Sequence, residues 1–199
     1  MDIETIFGNL PTLETERLIL RKITVEDVED MFSYGSNEEV SKYVTWDTHK
    51  TISDTKEFVD FVLTRYENNQ VAPWGIVYKE NGKLIGTIDF ISWQVKDNSA
   101  EIGYVISQDY WGKGITTEAA HEVIKFGFHH MDLVRVQARC FVENIGSSRV
   151  MEKIGMSYEG ILRKTAFIKG KHRDLKMYSI LREEFSYMHK QKVESANIL

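Results

Sequence analysis

The chain has 199 residues, 42% apolar and 28% charged, an ordinary globular composition that argues against disorder. Its formal charge of −5 argues against a nucleic-acid coat and is compatible with a cationic substrate. One cysteine, Cys140, excludes an internal disulfide and a zinc site built on cysteines, and no run approaches the ~20 apolar residues of a membrane span.

These features, together with a start (MDIETIFGNL) that lacks a basic, apolar leader, predict a cytoplasmic protein with neither membrane nor direct nucleic-acid contact. No repeat or linker divides the chain. The expectation is one domain over 1–199, with its core at about 13–185 and a loose tail at 186–199.

RLILRKI (Arg17–Ile23) alternates like a half-buried strand. TVEDVEDMFSYG follows, with Thr24 and Asp27 spaced as a capping box and Val28, Met31 and Phe32 at helical spacing. TISDTKEFVDFVLTRYENN predicts a second amphipathic helix with Phe58, Phe61, Val62 and Tyr66 on its apolar side. Past Pro73, two β-rich runs flank Asn81-Gly82, a strong hairpin signal. Ser99–Ser107 predicts a strand, and a helix runs to about His129. Val134–Val142 alternates again. IGSSRVMEKIG predicts a short helix stopped by Gly155, and MSYEGILRKTAFIKGKHRDLKMYSILREEF predicts a hairpin turning near Lys169–Lys171. The order is β-α-α-β-β-β-α-β-α-β-β, an α+β fold with helices on a mixed sheet.

Between the strand at 99–107 and its helix lies QDYWGKGITTEA. The first amides of a helix lack intrahelical partners and carry the positive end of its dipole. Gly112 and Gly114 leave those amides open to an anion, Lys113 adds a cation, and Thr116 and Thr117 add hydroxyls. Two readings stand on the loop alone: a diphosphate cradle, or a tight turn into a core helix. A Walker loop does not fit, because Ser107 and Gly114 occupy positions that it reserves for Gly and Ser/Thr. Nor does a dinucleotide fingerprint, because Thr117 stands in place of its third glycine.

YWGKGITTEA after AEIGYVIS resembles the coenzyme A loop of the GNAT superfamily of N-acetyltransferases. The family's Gln/Arg-x-x-Gly-x-Gly/Ala pattern falls here on Trp111, Gly114 and Thr116. Tryptophan in the first place resembles the ribosomal-protein N-terminal acetyltransferase branch (RimJ/RimL-type); threonine in the last departs from Gly or Ala. ENIGSSRVMEKIGM resembles that branch's Asn-x-x-Ser … Glu-Lys-x-Gly-Phe segment, carried by Asn144, Ser147, Glu152, Lys153 and Gly155, with Met156 for Phe. LETERLILRKIT and YEGILR extend the resemblance from about Leu13 to Phe185.

The resemblance implies a sheet of about seven mixed, mostly antiparallel strands, about four helices on its faces, and two central strands that splay apart. It implies acetyl-CoA as co-substrate, with no metal. The pantetheine arm is expected along Val105 and Ile106, and the pyrophosphate on Trp111, Gly112, Lys113, Gly114, Ile115, Thr116 and Thr117, with Asn144 and Ser147 beside them. A backbone amide near Val105 is expected to face the thioester oxygen. The acceptor is a primary amine: the N-terminus of a ribosomal or other protein, or a small molecule such as a polyamine or antibiotic. A non-catalytic coenzyme A-binding module is the third reading.

Acyl transfer needs a neutral amine and a proton for the departing thiolate. Many family members use a tyrosine as the acid, but the matching position is Met151, so Ser147 is the expected acid. Glu101, on the strand beside the acetyl site, is the expected base, with Asp89 a lesser alternative. The branch's further glutamate falls near Ala166 and is missing. Cys140 reads as a buried residue, and His129 and His130 as surface groups at a helix end. Trp46, Trp74 and Trp93 are either core or an acceptor groove. A sheet edge at the last hairpin could pair in a homodimer.

Overall fold

A computed structural model describes residues 2–187. Eight strands form one sheet: β1 (Leu13–Glu14), β2 (Leu18–Arg21), β3 (Trp74–Tyr78), β4 (Leu84–Gln94), β5 (Ser99–Ile106), β6 (Arg135–Phe141), β7 (Ser157–Ile168) and β8 (Lys171–Leu181). Their order across the sheet is β1-β2-β3-β4-β5-β6-β8-β7. Every pairing is antiparallel except β5 with β6. Before β7 the α-helices are α1 (Ile3–Phe7), α2 (Val28–Gly35), α3 (Glu38–Ser41), α4 (Ile52–Glu67), α5 (Ile115–His130) and α6 (Ile145–Ile154). The mixed α/β architecture is the expected one. Short β1 raises the strand count above seven, and α1 and α3 are short additions with no long periodic pattern to announce them.

Local chemistry fixes the element starts. Thr24 and Asp27 form the expected capping box, and Arg21 adds a salt bridge to Asp27 at 2.7 Å. Thr51 and Asp54 form a second box at the head of α4. Gly155 ends α6 at φ 94°, as expected. Residues 182–187 are helical, so the expected tail boundary at 186 falls inside a helix. The rest of that tail, 188–199, lies outside the described residues.

Helices cover both faces of the central strands. On one face Phe126 of α5 meets Trp74 at 5.7 Å between ring centroids, and Trp74 meets Phe90 at 6.3 Å. On the other, Tyr34 of α2, Trp46 and Phe58 of α4 gather over Thr87 and Val105. Because both faces are covered, β3 is almost wholly buried and shows no alternation. In α4 the buried stripe is Thr55, Val59, Val62 and Tyr66, whereas Phe61 is 55% exposed. Phe61 therefore departs from its expected place: its ring turns away from the stripe and lies beneath the Arg65 guanidinium, one helical turn on, at 5.3 Å.

Candidate active site

The parallel pairing of β5 with β6 lasts only three residues, Ser99↔Arg135 to Glu101↔Gln137. Beyond it, among the described residues, β5 pairs with β4 alone up to Ile106, while β6 stays with β8 up to Phe141. The two strands thus separate into a V, as expected, and the far half of β5 presents an unpaired backbone edge, a ready template for an extended ligand. A cleft of about 1070 Å³ runs through this opening.

The glycine loop closes one end of the V. Gly112 and Gly114 adopt φ 74° and 77°, a region that favours glycine, and Gly114 is the N-cap of α5. A Cβ at Gly112 would meet nothing within 4 Å, so protein packing does not demand a glycine there. Long-range ties hold the loop. Glu118, in the first turn of α5, accepts from the Thr15 hydroxyl at 2.5 Å, the Arg17 backbone amide at 2.9 Å and Arg17 Nε at 2.7 Å. Burial raises the Glu118 carboxyl, and these hydrogen bonds outweigh it and hold the group low. An acidic residue here would repel an anion; Arg17 neutralises it and also donates to the Lys113 carbonyl at 3.0 Å.

Of the expected donor-site residues, Val105, Ile106, Trp111, Gly112, Thr116, Asn144 and Ser147 line the cleft. Trp111 donates its indole N–H to the Ile106 carbonyl at 3.0 Å, tying the loop to the end of β5. Lys113, Gly114, Ile115 and Thr117 do not line it: Lys113 sits over the Tyr110 ring, and the Ile115 side chain is core, leaving that residue only its backbone to offer.

Asn144 caps α6, its side chain accepting from the Ser147 amide at 3.1 Å. The Ser147 hydroxyl then lies 3.0 Å from the Tyr104 hydroxyl. Burial pushes the Tyr104 phenol well above its ordinary range, so it keeps its proton. Nothing in the sequence marks Tyr104, since a tyrosine in an alternating strand carries no signal of its own. A phenol reaches Ser147 from β5, and Met151, the position expected to match the family's tyrosine, is fully buried. Cys140 is buried, as expected, and burial raises its thiol, yet it also borders the cleft.

The other half of the cleft lies over the α2/α4 face of the sheet. Thr87, Asp89 and Ile91 of β4 and Glu101, Gly103 and Val105 of β5 form its floor. Segment 39–46, α4 and the β7–β8 hairpin surround it, with Trp46, Phe58, Phe61, Ala166 and Phe167 among its walls. Lys169 at the hairpin turn donates to the Ser41 carbonyl at 2.6 Å and bridges the top. Trp74 and Trp93 are core, so Trp46 alone of the three tryptophans considered lines the cleft. Ala166, near which the branch's glutamate was expected to be missing, lines the cleft too. Glu101 faces the cleft but is only 4% exposed and is engaged across the V, accepting from Arg139 at 2.8 Å and Gln137 at 3.3 Å. No histidine among the described residues lines this space.

Known proteins share this architecture. The family model described as "Acetyltransferase (GNAT) domain" matches residues 17–157. The uncharacterized N-acetyltransferase YoaA of Bacillus subtilis (strain 168) is 36% identical over 172 residues, covering 86% of this chain and 97% of that protein. A GNAT-family acetyltransferase structure from Bacillus anthracis superposes with TM-score 0.77 at 34% identity, covering 87% of this chain and 99% of the other. RimL, a ribosomal L7/L12 alpha-N-protein acetyltransferase solved with coenzyme A, shares the fold at TM-score 0.75 and 17% identity, covering 86% of this chain and 98% of its own. Spermidine N(1)-acetyltransferase of Escherichia coli (strain K12) is 23% identical over 171 residues, 86% of this chain and 89% of that protein. The chain is a GNAT-type N-acetyltransferase and belongs to the GNAT acetyltransferase family.

Proposed function

We propose that this enzyme draws its acetyl group from acetyl-CoA and delivers it to a primary amine, with a protein N-terminus as the first acceptor to consider. The observation that carries this reading is the unpaired edge of β5 from Ile102 to Ile106, running directly toward the Gly114-capped start of α5. An extended pantetheine arm fits the first feature and a diphosphate fits the second. Acetyl-CoA brings an activated thioester. The chain's part is to hold it along Val105 and Ile106, to seat its phosphates on 111–117, and to return a proton to the departing sulfur. Ser147 is the proton donor, with the Tyr104 phenol behind it.

The RimL likeness and the branch motifs support a peptide acceptor. A polyamine is the second reading, favoured by the carboxylates of Glu39, Asp89 and Glu143 along the cleft and by the spermidine acetyltransferase among the relatives. Thiol release measured across peptides beginning with Ala, Ser or Met and across polyamines tests both. Turnover confined to peptides supports the first reading, turnover confined to polyamines supports the second, and acetyl-CoA binding with no turnover on any amine contradicts both.

A further inference from the structure

Asp89 and Glu143 are the cleft carboxylates without a hydrogen-bond or salt-bridge partner among the described residues, and Asp89 is the one that rises from the sheet floor beside Val105. Its side chain rises from β4 on the cleft face, half-buried, directly across from Gly103 in the β4–β5 register. Among the described residues none hydrogen bonds to it or pairs with it. Arg65, whose charge acts on it, is engaged elsewhere, donating to the Val71 carbonyl at 2.5 Å and lying over Phe61. Gly103 keeps the space above the carboxylate open: a Cβ there would sit 3.5 Å from Asp89 Oδ1 and 2.7 Å from Ile91 Cγ2. The neighbouring register pair is Thr87↔Val105. Diagonal neighbours of this kind stand ~7 Å apart, room for one ammonium group between them.

We propose that Asp89 receives the ammonium proton of the acceptor amine and is thus the general base, in place of Glu101. The inference rests on the acetyl-transfer reading above. The first proton leaves the nitrogen before attack and goes to the Asp89 carboxylate, which later gives it to water. The nitrogen lone pair forms the N–C bond and the C–S bond breaks. The second nitrogen proton balances the one that the thiolate takes through Ser147, so one proton is released per turnover.

Burial pushes the Asp89 carboxyl up to about 7, with the Arg65 charge opposing, which places it where a base works at neutral pH. The charged and titratable groups around it are Arg65 and Tyr66 on α4, Glu101 on β5 with its partner Arg139 on β6, and Glu39, Lys42 and Glu143 farther along the cleft.

The test is the pH profile of kcat/KM for two amines of different basicity, at saturating acetyl-CoA. The wild type should rise with unit slope through a midpoint near 7 that stays put when the amine changes. Asp89→Asn should lower kcat/KM about 100-fold or more and lose that limb, with acetyl-CoA affinity unchanged within twofold. Glu101→Gln should keep the limb. A limb that survives in Asp89→Asn and vanishes in Glu101→Gln overturns the assignment while leaving acetyl transfer standing; absent acetyl-CoA binding removes acetyl transfer instead. Carbon NMR of aspartate-labelled protein needs no acceptor: a resonance absent from Asp89→Asn and titrating near 7 supports the assignment, and one titrating below 5 overturns it.

Discussion

The two halves of the cleft are built differently. The half proposed for the donor uses backbone: an unpaired strand edge, the first amides of a helix, and two glycines at positive φ. The half proposed for the acceptor uses side chains from segment 39–46, α4, β4, β5 and the β7–β8 hairpin, elements up to about 130 residues apart in the chain. A backbone site tolerates varied side chains and keeps its ligand, whereas a side-chain site changes acceptor with each substitution. The two halves should therefore respond separately to mutation.

The largest separation is expected at Ser147. Ser147→Ala should lower kcat about 100-fold, in the range for loss of a positioned proton donor, and leave acetyl-CoA affinity within twofold. Pre-steady-state thiol release together with calorimetry checks this; equal losses in both would make Ser147 a binding residue. Gly114→Val places a branched side chain at φ 77° and should weaken acetyl-CoA by tenfold or more, with acceptor KM unchanged. Phe61→Ala should do the converse, raising acceptor KM roughly fivefold by removing part of the exposed wall. If Phe61→Ala weakens acetyl-CoA equally, the two halves are not independent.

Two carboxylates give opposite signs of pH-dependent stability. Asp89 is raised above its ordinary value of 3.8 to about 7, so its buried charge disfavours the folded state once ionised, and the protein loses stability as pH rises from about 4 to 7. Asp89→Asn should then melt about 5 °C higher than wild type at pH 8 and equally at pH 4. Glu159 is lowered to about 2 by hydrogen bonds from Arg135 and Ser179, so its contribution is present above its ordinary 4.5 and is lost as pH falls toward 2. It is partly exposed, so Glu159→Gln should lower the melting temperature by only about 1–2 °C at pH 7, less in high salt.

The same division explains what the sequence made legible. The donor half is local: Trp111, Gly112 and Gly114 lie within four residues, and Asn144 sits one helix cap from Ser147, so short motifs carry the geometry. The capping box at Thr24 and the stop at Gly155 are legible for the same reason. What binds across distance was not. The Thr15–Arg17–Glu118 ties join residues about a hundred apart, and Tyr104 matters only because α6 brings Ser147 to it. Periodicity put Phe61 on the core side of α4; its turn toward the cleft follows from packing against elements that a helical pattern cannot see. Glu101 and Asp89 are both acidic residues in strands, and their difference is Arg139, which the β5–β6 pairing brings to Glu101.

Calorimetric titration of acetyl-CoA tests the donor site most directly. A saturable one-to-one isotherm is expected for the wild type, weakened tenfold or more in Gly114→Val and retained in Phe61→Ala. No saturable heat at millimolar acetyl-CoA, or an unchanged isotherm in Gly114→Val, would contradict the assignment of the V between β5 and β6 as the acetyl-CoA seat.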